Sequence, residues 1–112
     1  MGQVNVVLAG QKFLHDGGSF TLTSGILSEN PIRYGAAASL VNGALDSFVR
    51  VAAIELPRGQ RIKVVSPTVI RESMDSFGSY FRGYKAVPAS DAALAYSKSV
   101  EGGQTGQVYK VW

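Results

Sequence analysis

The stretch from Gly35 to Leu56 constrains the fold of this chain more than any other. It holds no proline, only two glycines, and enough apolar residues to read as one helix. That helix would be about 33 Å long at about 1.5 Å per residue. Ala37, Val41, Ala44, Leu45, Phe48 and Ala52 recur at helical spacing and form the expected buried stripe. Leu40, Val51 and Ile54 fall off that stripe and are apolar too. A helix that is apolar on more than one side needs more than one cover. One cover would be a sheet, and the other a second helix or another copy of the chain. Pro57 to Arg61 turns the chain, and Ile62 to Ser66 reads as a short strand closed by Pro67.

The rest of the chain alternates in the same way. Gly2 to His15 reads as a helix stopped by Asp16-Gly17-Gly18. Ser19 to Thr23 alternates apolar and hydroxyl side chains, the pattern of a strand. Ser24 to Arg33 is a loop. Thr68 to Val87 is irregular and rich in aromatic residues, either a short helix or a flap. Pro88 to Asp91 carries helix-start signals, with Ser90 or Ala89 near the cap position, and Asp91 to Val100 reads as the third helix. Thr105 to Trp112 reads as a last strand. Helix, strand, helix, strand, helix, strand implies parallel strands joined by helical crossovers.

Composition narrows the function classes. With 112 residues the chain is a single domain, 1–112, and nearly half of it is apolar. It holds no cysteine, so disulfides and thiolate metal sites are excluded. The acids show no metal-ligand spacing, and no metal is expected. Eleven Lys and Arg against eight Asp and Glu give a charge of +3. The basic residues are scattered; the densest group, Arg58, Arg61 and Lys63, is expected to be a solvated loop. Nucleic acid is not an expected partner. The apolar runs are short for a membrane span, and no secretion signal follows Met1, so a cytoplasmic location is the default expectation.

Four segments carry a resemblance. Gly18 to Gly25, Asn42 to Leu56, Arg61 to Pro67 and Thr105 to Tyr109 resemble, in order and spacing, four successive elements of the C-terminal half of a short-chain dehydrogenase/reductase. The resemblance implies a truncated Rossmann-like, doubly wound α/β domain with about three parallel strands and flanking helices. It implies NAD or NADP as the family's cofactor. The family's glycine-rich phosphate turn is missing here, and Gly17-Gly18 and Gly102-Gly103 read as helix stops.

The family's catalytic pattern is a Ser, a Tyr farther along, and a Lys one helical turn after the Tyr. The Tyr exchanges a proton with the substrate oxygen, and the Lys lowers its pKa. Alignment on Gly18 and the following strand puts those positions at Gly25, Ala38 and Asn42, so no catalytic residue is assigned. Ser24 is expected to be a capping or loop hydroxyl, and Tyr34 a loop or interface residue. His15 is expected to meet the last carbonyls of the first helix. Ser66 to Ile70 resembles the family's turn against the nicotinamide. Pro67 and Ile70 match it, and Thr68 replaces the usual glycine.

Three readings follow. The chain self-assembles through helices 2–15 and 35–56 and through its exposed sheet edges. Alternatively, it completes a reductase with an N-terminal half supplied by another chain. The third reading is a ligand-binding module whose pocket is lined by Tyr80, Phe81 and Tyr84. In each, the chain is an oxidoreductase relative that is not expected to transfer hydride alone.

Overall fold

A computed structural model describes residues 2–112. Its elements are α1 (Gly2–Gly10), β1 (Ser19–Thr23), α2 (Ala36–Glu55), β2 (Arg61–Pro67), α3 (Met74–Phe77), α4 (Ala89–Glu101) and β3 (Gln107–Val111). Single 3-10 turns sit at Ile26–Ser28, Arg71–Ser73 and Gly78–Tyr80. The three strands form one parallel sheet in the order β1-β2-β3. The expected truncated, Rossmann-like α/β architecture is therefore the one observed.

Strand residues alternate between the two faces of the sheet. Leu22, Ile62 and Val64 point to one face and bury against Val7 of α1 and Leu45, Val49 and Ala52 of α2. Thr21, Thr23 and Lys63 point to the other face and bond to α4. The connections β1-α2-β2 and β2-α4-β3 thus step in one direction across the sheet but cover opposite faces. They must have opposite hand, so one of them is the rare left-handed crossover.

The α4 face is the more polar one, although Val65 is buried on it as well. Thr21 Oγ1 and Ser99 Oγ share a hydrogen bond of 2.7 Å, and Thr23 Oγ1 bonds to the Tyr96 hydroxyl. Lys63 is 0% exposed, and its Nζ donates to the Ser99 carbonyl. Arg61 donates to the Gly102 carbonyl. Two strand cations therefore hold the carbonyl end of α4, where positive charge is favoured. Burial first, and then the charge of Arg61, hold the Lys63 ammonium below its ordinary pKa. In the basic group expected to be a solvated loop, Arg61 and Lys63 are strand residues bonded to α4 instead, while Arg58 is an exposed turn residue as expected. Arg58 pairs with Asp16 at 2.9 Å and donates to the carbonyls of Gln11 and Leu14.

Three further expectations change. The first helix ends at Gly10, not His15. A Cβ at Gly10 would lie 3.2 Å from the Phe20 ring, so glycine there lets the helix end approach β1. The carbonyls of Gln11 and Leu14 go to Arg58 and Gln60. His15 therefore lies beyond the helix and is exposed, and Phe13 is 85% exposed. On α2 the buried residues are Leu45, Asp46, Val49 and Ala52, while Ala37 and Val41 are exposed, because the first turns of α2 run past the sheet. Finally, Pro88 is the N-cap of α4, and the carboxylate of Glu72 accepts from the Ala89 N–H in place of a local cap.

By length and composition alone, α2 is apolar enough to cross a membrane. Its inner side packs on the sheet instead, and its buried Asp46 is hydrogen-bonded. The outward peptide group of Thr23 on the free edge of β1 is also covered. Its N–H donates to Gln3 Oε1 at 2.8 Å, and its carbonyl accepts from Gln3 Nε2 at 2.9 Å.

Candidate functional site

In open α/β sheets, ligands lie at the carboxyl ends of the strands. Here those ends carry Ser24 and Gly25 after β1, Pro67 to Ile70 at the end of β2, and Trp112 after β3. Helix α2 faces them with one row at single-turn spacing: Ala38, Asn42 and Asp46.

The structure brings two of the three aligned positions, Gly25 and Asn42, together. A Cβ built on Gly25 would lie 3.0 Å from Asn42 Nδ2 and 3.6 Å from the Pro67 carbonyl oxygen. Ala38 stands one turn before Asn42 and lines a cavity of about 310 Å³. The side chains at these positions are small or neutral. Gly25 brings no hydroxyl, Ala38 no acid, and Asn42 a neutral amide that cannot hold a charge beside an acid.

Ser24 lies in the loop after β1, as expected, but its hydroxyl has a specific buried partner. It is buried, and its Oγ donates to Asp46 Oδ1 at 2.6 Å. Its N–H donates to the Val65 carbonyl, so the backbone is fixed as well. No basic side chain meets this pair, and the bond joins α2 to the end of β1. A sequence signal for it existed: a carboxylate inside a buried helical arc requires a partner.

The aromatic segment divides between two hollows. Phe77, Tyr80 and Phe81 line the apolar cavity beside Ala38, with Leu27 and Ile32 from the loop after β1. Tyr84 does not join them. Its ring stands edge-on to Phe81 with centroids 5.5 Å apart, and its hydroxyl donates to the Pro31 carbonyl at 3.1 Å. It lines a separate cleft. Tyr34 is a loop residue, 87% exposed, with a left-handed φ of 68° at the rim of the apolar cavity.

Pro67 to Ile70 lies beside Gly25, as a turn against a nicotinamide would. Pro67 remains paired in the sheet with Val111, and Ile70 pairs with Val87. Thr68 puts a buried side chain where a glycine would leave the backbone bare. The residues present thus suit the nicotinamide end of a dinucleotide at most. No glycine-rich turn opens α2 or α4 to cradle a pyrophosphate, so the chain by itself does not fit the whole cofactor. Among the described residues, no group of three His, Asp or Glu is placed to hold a metal ion.

Comparison with solved structures places these features in context. The protein lin1944 from Listeria innocua matches with a TM-score of 0.97 and 52% identity, over 99% of this chain and 56% of that one. A small-chain dehydrogenase matches with a TM-score of 0.82 and 32% identity, over 98% of this chain and 54% of that one. A small-chain dehydrogenase in complex with NADPH matches with a TM-score of 0.82 and 29% identity, over 98% of this chain and 56% of that one. The chain thus spans a little over half the length of these three proteins. No family model matches it, and neither does any curated protein.

Proposed function

We propose that this chain, which matches about half of a small-chain dehydrogenase over nearly its whole length, corresponds to the C-terminal half of a short-chain dehydrogenase/reductase and keeps that oxidoreductase scaffold without its proton-transfer machinery. On its own it does not transfer hydride between a nicotinamide and a carbonyl compound. The observation that carries this reading is the contact of Gly25 with Asn42, with Ala38 one helical turn before Asn42 on the same row of α2. Carbonyl reduction needs an acid within hydrogen-bond reach of the oxygen that gains the proton. None of these three side chains supplies one.

NAD or NADP belongs to the same reading as the cofactor of the scaffold, with Pro67 and Ile70 against the nicotinamide. The neighbour in complex with NADPH supports this at the level of the family. The apolar cavity beside Ala38 suits a small apolar substrate or ligand, and a cytoplasmic location fits the same picture. The test is to mix the purified chain with NADH or NADPH and a panel of ketones and aldehydes. No turnover above the protein-free rate is expected, and no saturable change in nicotinamide fluorescence. Turnover by the chain alone would overturn the proposal.

A second reading concerns assembly. Helix α2 leaves Leu40, Val41, Val51 and Ile54 exposed, Ile54 by 85%. Helix α1 adds Val6 and Leu8. We propose that this surface joins copies of the chain through helices 2–15 and 35–56, the first now bounded at Gly10. Burial of each large apolar side chain is worth about 1.5–3 kcal/mol, so a few suffice. Light scattering at micromolar concentration should give a multiple of the 11.9 kDa chain mass, and a monomeric mass would end this reading.

A further inference from the structure

The turn after the aromatic segment builds a second hollow, apart from the Gly25–Ala38–Asn42 site. Phe81 to Tyr84 is a tight turn closed by the Tyr84 N–H on the Phe81 carbonyl at 3.0 Å. Gly83, its third residue, has a φ of 84°, where glycine is the natural occupant. This turn sets Arg82 and Lys85 on either side of Tyr84, at the rim of a cleft of about 330 Å³. That volume lies within the range of small-molecule sites.

The walls of the cleft have a definite chemistry. Trp112 stands at the end of β3, and Tyr84 is held by its bond to Pro31 and its contact with Phe81. Both offer flat apolar surface. Asn30 adds an amide, and Thr68 contributes to the floor. Thr68 is 5% exposed, and its Oγ1 has no hydrogen-bond partner in the protein. Buried hydroxyls are normally paired, so an orphan one beside a cleft calls for an explanation.

Charge points the same way. No carboxylate lines the cleft. The nearby Glu29 is engaged by Lys110, at 2.8 and 3.0 Å. Among the described residues the ion pairs are Arg58–Asp16 and Lys110–Glu29, and neither Arg82 nor Lys85 takes part in one. Two cations without protein counter-charges, a held Tyr84 ring, a Trp112 ring that also meets the Lys110 ammonium at 4.9 Å, and a polar floor make a site that is complementary to a negative charge on a flat body.

We infer that this cleft binds a small organic anion with a planar ring, its carboxylate or phosphate group between Arg82 and Lys85 and its ring between Tyr84 and Trp112. None of its residues is at an aligned catalytic position, although Thr68 belongs to the turn that resembles the family's nicotinamide contact.

Trp112 is the single tryptophan, so the full chain gives one indole N–H signal in a nitrogen-15-labelled sample. The probes are para-nitrobenzoate, para-nitrophenyl phosphate, neutral para-nitrobenzyl alcohol and inorganic phosphate. Saturable movement of the indole signal with at least one aromatic anion is expected, and the stronger of the two tells carboxylate from phosphate ester. The alcohol and inorganic phosphate should each bind about tenfold more weakly or not at all, the loss that follows from one charge-assisted contact. Arg82→Met and Lys85→Met should each weaken binding by about tenfold. Thr68→Val should weaken it too, with an unchanged or raised melting temperature, since it removes an unpaired hydroxyl. Equal binding of the alcohol and the anions, unchanged affinity in both cation variants, or no saturation by either anion would overturn the inference.

Discussion

The two faces of the sheet are cut from the same three strands but are held by different forces. On the α2 side, Leu22, Ile62 and Val64 meet Leu45, Val49 and Ala52, and cohesion is close-packed hydrocarbon. On the α4 side, Thr21, Thr23, Arg61 and Lys63 meet Ser99, Tyr96 and the last carbonyls of a helix, and cohesion is directional. Hydrocarbon contact adapts to small shifts, whereas a row of hydrogen bonds works in one register. The apolar face should therefore carry most of the stability, and the polar face should fix where α4 sits.

Three substitutions press on that division. Leu45→Ala should cost the most, about 2–5 kcal/mol in urea unfolding, because it opens a cavity at a buried position. A loss below about 1 kcal/mol would show that the apolar face is looser than described. Lys63→Met should cost less, about 1–3 kcal/mol, because it strips the α4 carbonyls of a donor while keeping an apolar stem. The smallest effect belongs to Thr21→Val, about 1 kcal/mol for one neutral hydrogen bond to Ser99. If the two polar-face changes exceeded Leu45→Ala, the ranking of the faces would be reversed.

The pH dependence sharpens the comparison, since Lys63 belongs to only one face. Its pKa is lowered in the folded chain, so below the ordinary value of 10.5 the unfolded chain binds more protons at this site than the folded one. Stability from this group therefore rises with pH through the window between its folded pKa and 10.5. The wild-type chain should gain stability on Lys63→Met across that window as the solution becomes more alkaline. Parallel pH curves for the two proteins would remove Lys63 from the account.

Most of the framework was legible from periodicity. The first strand lies at Ser19–Thr23 as expected, the long helix occupies Ala36–Glu55, and the strands run parallel. The positions Gly25, Ala38 and Asn42 came from the resemblance to the family, and the structure sets Gly25 against Asn42. Two buried polar residues could not be placed. Lys63 alternates with apolar neighbours just as a solvent-facing residue does, and only the later helix α4 covers it. Its register partner Thr21 was the available hint, since a hydroxyl opposite a cation on a covered face suggests a polar interlayer. Asp46 sits within an apolar arc, and its partner Ser24 is distant in sequence, so the pairing depends on the chain reversal between them. The end of the first helix was misplaced for a similar reason: Arg58 and Gln60, far along the chain, take the carbonyls that a continuing helix would have used.

Gln3 has a consequence for the outer strand. Its amide occupies the outward N–H and C=O of Thr23 much as the backbone of a neighbouring chain would. Anything that zips onto this edge from the Ser19 end meets a stopper at Thr23 and must evict a side chain to go farther. The first helix therefore acts as a bookend: it limits how far foreign backbone can extend the sheet.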